Sequence, residues 1–367
     1  MIYGEKFLNY GIENINEVEL MKFDLFNIST LLESIEVADY DLVLEKVDLS
    51  SIFKKIFDKI KEFFLKVLGY IKTVIDFIHN KLDKYITKLI QALKKEESTL
   101  EESTITEAVK DETILISKLK TTVVSKMDRT KSYITDMGLL LTNFYKDLTS
   151  VGQKDYDNIK NKFRDIEQLS NAFYDKYKDM SVDCSTIVDK LKDAKENDLF
   201  DYEEISVGKK NKKEIKELII KLSEIQKEIA SYKKYYQDLD GFINNLKSEY
   251  FTKIEKLNNE MADKAIDNDK RPEYVIDNYD GDEEEFKLAA AHISKLYTFT
   301  NAYFNDSKKV ITNILTILSN GFNSNKGFVS YCSAILKAPK PPKSPTNNIS
   351  GTYHVTGGGN VTIKKTK

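Results

Sequence analysis

Tryptophan is absent from this 367-residue chain, cysteine occurs twice, histidine three times, proline five times and glycine fourteen times. Four of the five prolines (Pro339, Pro341, Pro342 and Pro345) fall in one short stretch, and the fifth is Pro272. Met1 to Lys270 therefore runs without a proline and with few glycines, which suits long helices and disfavours a many-turned sheet. Cys184 and Cys332 lie far apart and match no metal-ligand or redox spacing, so they read as free thiols in a reducing compartment. The N-terminus lacks the basic region and continuous apolar run of a secretory signal. No apolar run approaches the ~20 residues that a membrane-spanning helix requires. The expectation is a soluble chain in the cell that makes it.

Recognisable chemistry is equally scarce. His79, His292 and His354 stand singly, and each reads as a surface or core side chain rather than a ligand. The chain has no phosphate-binding glycine loop ending in Lys-Ser/Thr, no Gly-x-Gly-x-x-Gly unit, no His-Glu-x-x-His and no Gly-x-Ser-x-Gly. With 59 carboxylates along the chain, spacing cannot single out one pair as general acid and base. The run Asp277-Asn-Tyr-Asp-Gly-Asp282 offers closely spaced oxygens. Aligning Gly281 with the sixth position of a calcium loop, however, places Ile276 first and Lys287 twelfth, where carboxylates are required. An acidic turn is the reading. The expectation is a non-enzymatic protein with no cofactor, no metal and no small-molecule substrate.

Charge is abundant and unevenly laid out. A net charge of -3 conceals an acidic segment over residues 1–50, with eleven acids and three lysines, directly before a basic segment over 51–95, with eleven lysines and four acids. After Asp306 no acid occurs, and nine lysines follow. Such blocks either bind partners or neutralise each other within the fold.

Helical periodicity dominates the rest. In 51–95, Phe53, Phe57, Ile60, Phe64, Val67, Ile71, Val74 and Ile78, continued by Leu82, Ile86, Leu89 and Leu93, recur at steps of three and four. This pattern predicts one amphipathic helix about 65 Å long at ~1.5 Å per residue. Its apolar face is either bundle core or a face for a membrane surface or protein partner. Residues 96–112 read as a linker and 113–337 as a helical bundle. The bundle begins with a helix from Thr113 to Leu148 that includes Leu115 and Leu119 and is closed by Gly152. A helix from about Gln153 to Met180 follows, then a shorter one from Ser185 capped by Asp183, and then a loop from Asn197 to Gly208.

The longest unbroken period lies in 209–264. There Ile215, Leu218, Leu222, Ile225, Ile229, Tyr232, Tyr236, Leu239, Ile243, Leu246 and Tyr250 form a heptad seam, and a stutter follows Tyr250. Asp282 to Glu285 place acids at the start of a further helix ending at Gly321, and Lys326 to Lys337 form a separate short helix. Residues 338–367 make a Pro/Lys/Gly-rich tail, extended or with a small hairpin. The fold class expected is all-α, an elongated bundle of long amphipathic helices with coiled-coil-like packing.

The order of these parts resembles a loosely defined group of virion-associated structural or internal proteins of large tailed bacteriophages of low-GC Gram-positive hosts. The resemblance rests on the aromatic-lysine stretch Ile52-Phe-Lys-Lys-Ile-Phe-Asp-Lys-Ile-Lys-Glu-Phe-Phe-Leu-Lys, and on the late helices Ala302-Tyr-Phe-Asn-Asp-Ser-Lys-Lys-Val-Ile-Thr-Asn-Ile-Leu and Phe328-Val-Ser-Tyr-Cys-Ser-Ala-Ile-Leu-Lys337. It implies a location in the virion or host cytoplasm, and protein partners that are virion proteins or further copies of the chain. It also implies that the acidic segment is a propeptide cut by a maturation protease after Leu- or Ile-x-Glu, a form found at Glu33 and Glu107. The basic, proline-rich tail departs from the pattern.

Two functional readings follow. One is a structural or packaged protein acting by helix packing. The alternative is a membrane-active helical protein whose amphipathic helix is masked by the acidic N-terminal segment. Nucleic acid is not an expected partner, because Gly208-Lys-Lys-Asn-Lys-Lys213 is short and the chain as a whole is not basic.

Overall fold

The computed structural model describes residues 49–100, 112–153, 159–207, 212–259 and 280–337. Helix α1 (Leu49–Phe77) passes through a π-helical turn, Ile78–Leu82, straight into α2 (Asp83–Thr99). Strand β1 (Glu112–Leu119) leads to α3 (Thr121–Gln153) and α4 (Ile159–Lys192); a single turn, α5 (Glu196–Leu199), then enters β2 (Phe200–Val207). Helix α6 (Lys212–Asn245) continues through a second π-helical turn, Leu246–Phe251, and stays helical over 252–259; α7 (Asp280–Lys337) ends the described chain. The class is all-α, with one two-stranded sheet among the described residues.

Pairwise contacts fix the helix directions. Gln226 on α6 donates to Asp83 on α2 at 2.6 Å, Lys216 pairs with Glu97, and Lys61 pairs with Glu255. Helices α1 and α2 together therefore lie antiparallel to α6 along most of its length. Helices α3 and α4 form a second antiparallel pair, in which Phe144 stacks on Phe173 at 4.4 Å and the Tyr133 hydroxyl donates to Asp183. Strands β1 and β2 close the base of that pair, antiparallel from Glu112 opposite Val207 to Leu119 opposite Phe200.

Helix α7 is 58 residues long, about 87 Å at ~1.5 Å per residue. It packs against α1, α2, α3, α4, α6 and β1. From Val310 to Ile335 it buries residues on most of its circumference, among them Ile311, Leu315, Leu318, Phe322, Phe328 and Cys332. A helix that is apolar on nearly all sides is stable only inside a protein or a membrane; here the surrounding helices supply that interior.

Several sequence-based expectations are corrected. Residues 112–119 are strand, not the first turns of a helix: Leu115, Ser117 and Leu119 alternate along β1 as readily as Leu115, Leu119 and Val123 step along a helix. Residues 200–207 pair with them and are not loop. Helix α4 is continuous through Asp183, which is no cap; Cys184, Val188 and Leu191 carry its buried face onward. Residues 96–99 extend α2 rather than starting a linker. Helix α7 passes through Gly321 without stopping, so Lys326 to Lys337 is its last part and not a separate helix.

The seam of α6 also changes register. Leu246 is followed in the core by Phe251, Ile254 and Asn258, while Tyr250 is only half-buried. The π-helical turn absorbs that step of five, one residue more than an α-helical turn accommodates.

Gly321 owes its place to close approach. A Cβ there would collide with the Tyr232 hydroxyl and lie 2.6 Å from Phe200. Gly241, by contrast, faces open space. Ala is the better helix former by about 1 kcal/mol, so Gly241→Ala should raise stability by up to about 1 kcal/mol. Gly321→Ala should lower it by about 1–3 kcal/mol through overpacking. Urea denaturation of the two variants checks both signs.

Candidate functional surfaces and the polar contacts of the bundle

The face singled out on α1 is core in this fold. Phe57, Ile60, Phe64, Val67, Ile71, Val74 and Ile78 are all buried, and so are Phe63 and Phe77, which the three-and-four pattern passes over. Phe63 meets Phe304 edge-on at 5.4 Å, Phe64 lies 5.1 Å from Phe251, and Phe77 meets Phe322 at 6.4 Å. The side chain of Phe53 lies outside those described. On α6, Ile215, Leu218, Leu222, Ile225, Ile229, Tyr232, Tyr236, Leu239, Ile243 and Leu246 are buried as the heptad pattern predicts. What α1 and α2 turn outward is lysine: Lys54, Lys55, Lys72, Lys84, Lys88 and Lys95 are exposed.

Along α7, polar contacts reach α3, α4, α1, α6 and β1. The Tyr145 hydroxyl of α3 donates to the Leu296 carbonyl at 3.1 Å and is hydrogen-bonded to the Thr300 hydroxyl. Asp306 accepts the hydroxyls of Tyr177 and Ser181 of α4 at 2.9 and 2.8 Å. The Ser319 hydroxyl lies 3.4 Å from that of Tyr70 of α1 and 3.3 Å from that of Tyr236 of α6. Asn325 forms a two-point contact with β1: its Oδ1 accepts the Ser117 N–H at 3.1 Å, and its Nδ2 donates to the Ser117 carbonyl at 2.8 Å. The Ser117 hydroxyl also donates to the Gly321 carbonyl at 2.9 Å. Hydrophobic packing alone tolerates sliding by a turn; buried hydrogen-bonded pairs are lost when a helix slides, and so they favour one register.

A seam pattern weighs only apolar residues and passes over these contacts. The signal for them in the sequence is the recurrence of small polar residues within an otherwise apolar helix, at Thr300, Ser307, Ser319, Asn325 and Ser333, all of them buried. Asn258, on the helical continuation of α6, is a further buried polar residue at a seam position.

Burial sets the ionisation of the enclosed groups. It pushes the hydroxyls of Tyr145, Tyr177, Tyr232, Tyr236 and Tyr303 well up, and the Asp306 carboxylate beside Tyr177 raises that one further. Burial, reinforced by Asp306, likewise pushes the Cys184 thiol up to about 12. Both cysteines are free and buried. Protonated buried thiols are poor nucleophiles, so the environment of these two suits packing. Among the described residues, no three His, Cys, Asp or Glu side chains are grouped to hold a metal ion, and no helix is long and apolar enough to cross a membrane. His79 is exposed. Glu33 and Glu107, residues 1–48 of the acidic segment 1–50, the stretch 101–111 and the tail 338–367 lie outside the described residues; residues 49 and 50 already belong to α1.

No family model, curated protein or solved structure matches the chain.

Two outcomes test this arrangement. Asn325→Ala leaves the Ser117 N–H and carbonyl buried without partners. At about 1–3 kcal/mol for each unsatisfied group, urea denaturation should show a loss of about 2–6 kcal/mol. The raised tyrosines set an alkaline limit. Below the unfolded tyrosine pKa of about 10, both states keep their protons and the contribution to stability is complete. Above it the unfolded chain ionises first, so stability falls by about 1.4 kcal/mol per pH unit for each such tyrosine. The tyrosinate absorbance of these buried side chains should therefore appear together with loss of helical circular dichroism, as one cooperative transition.

Proposed function

We propose that the protein is non-enzymatic and acts through helix packing, as a virion-associated structural or internal protein of a tailed bacteriophage. The observation that best supports this reading is how α7 is used. The longest helix, with its buried Tyr, Ser, Thr and Asn partners, goes into fixing the register of its neighbours. Cys184 and Cys332 are free and buried, which suits packing and supports the reading. A long helical body of this kind offers its partners helix faces. The order of the acidic segment, the aromatic-lysine helix and the late α7 sequences adds the resemblance to phage particle proteins.

The membrane-active reading ranks second on energetic grounds. Freeing the α1 face exposes Phe57, Ile60, Phe63, Phe64, Val67 and Ile71, at about 1.5–3 kcal/mol each. Their total, on the order of 10 kcal/mol, is comparable with the whole stability of an ordinary domain, about 5–15 kcal/mol. Undocking α1 would be close to unfolding the bundle.

Density-gradient particles from the strain that produces the protein, washed at high salt and analysed by mass spectrometry, test the proposal. The expected result is retention of the chain in the particle at constant stoichiometry. Recovery of the chain wholly in the particle-free fraction would overturn it.

A further inference from the structure

In this fold the apolar side of α1 and α2 is packed and the basic side is exposed. The apolar side is taken by α6 and α7, which leaves a long outward face rich in lysine. Lys72, Lys81, Lys84, Lys88, Lys94 and Lys95 are exposed, and none of them takes part in an ion pair among the described residues. Among the acids of these helices, Glu62 pairs with Lys66 of α1, Asp83 accepts from Gln226 and Glu97 pairs with Lys216, while Asp58 and Asp76 are exposed and outnumbered by the lysines. Like charges three and four residues apart on a helix repel one another, as Lys81, Lys84 and Lys88 do here. A surface of this kind gains from a polyanionic partner.

We propose that this lysine face is the docking surface for the chain's own acidic segment, residues 1–48. Three observations select that occupant over another anionic molecule. The segment carries eleven acids against three lysines, the opposite imbalance to that of 51–95. It is joined directly to the first residue of α1, Leu49, so binding is intramolecular, and a short tether gives an effective concentration in the ~mM range. Its length also suffices. From Lys54 to Lys95 the helices span about 60 Å at ~1.5 Å per residue, and 48 residues reach at most about 160 Å when extended at ~3.3 Å per residue. The attraction is between exposed charges, so it weakens as salt shortens the screening length from ~10 Å at 0.1 M to ~3 Å at 1 M.

The inference is independent of the virion reading, since it concerns only where the acidic segment binds. It does change what that segment covers. Its target is the solvated lysine side of α1 and α2, and the apolar side stays in the bundle core whether or not the segment is bound.

Zero-length carbodiimide coupling of carboxylates to lysines in the full-length protein, read by mass spectrometry on a mixture of isotope-labelled and unlabelled chains, tests the proposal. The expected result is intramolecular links from acids of 1–48 to Lys72, Lys84, Lys88 and Lys95, lost at high salt. A full-length variant with E33Q, E36Q, D39N and D41N should show those lysines acetylated several-fold faster than in the parent protein. Links confined to Lys54 and Lys55, beside the tether, would overturn the proposal, as would unchanged acetylation rates. Links that join labelled to unlabelled chains would also overturn it, and would make the face an interface between copies. Flotation of the unaltered full-length protein with phosphatidylserine vesicles would overturn it as well, by showing the face open to other anions.

Discussion

Enclosure of α7 is the constraint on which the rest of the structure depends. A helix buried on nearly every side must satisfy each neighbour at once, and proteins pack at crystal-like density. One residue too large at a crossing therefore disturbs several helices together. This is why glycine stands at 321, where Tyr232 and Phe200 press in, and at 138, where Tyr303 and Tyr250 do the same from the other end of the bundle. It also explains why the large core residues gather where three helices meet, as Phe63, Phe251, Tyr303 and Phe304 do. The polar contacts follow from the same enclosure. On the enclosed sides of α7, Thr300, Ser319 and Asn325 find their partners on the neighbours that face them, and Tyr145, Tyr70, Tyr236 and Ser117 are those partners.

Surface charge then has a different role from the core. Ion pairs such as Lys253 with Glu249 and Lys66 with Glu62 join exposed side chains, and pairs of that type contribute roughly 0–1 kcal/mol each. They do not determine the fold. The lysines of the α1–α2 face are instead a property of the outer surface, where charge governs association. Packing holds the helical body, and charge is left to act on what the body meets.

The helices were legible in the sequence because a three-and-four step sustained over several turns matches the helical repeat and no strand period. The buried faces of α1 and α6 followed from it nearly residue by residue. The strands were not legible. In Glu112 to Leu119, steps of two and of four coincide, and pairing with a partner strand more than eighty residues away leaves no local mark. Glycine misled for a related reason. A C-terminal stop and a close helix crossing both require a missing Cβ, and only the neighbour at Gly321 tells them apart. The step of five from Leu246 to Phe251 was visible as a stutter but was placed on Tyr250, because Tyr and Phe are both acceptable seam residues. At the functional level the lysine pattern was clear in sequence, while the identity of its opposite face as core depended on the antiparallel partner α6.

Helix α7 can organise its neighbours only if it runs unbroken through Gly321, and a distance measured along it is the most direct test. Asn305 and Ser330 are exposed on nearly the same side of α7, and the native cysteines are buried. Spin labels at N305C and S330C, measured by pulsed electron paramagnetic resonance, should give one narrow distance near ~38 Å, the ~1.5 Å rise taken over the intervening residues. A markedly shorter or two-component distribution would mean that the helix breaks at Gly321, contradicting the central role given to α7.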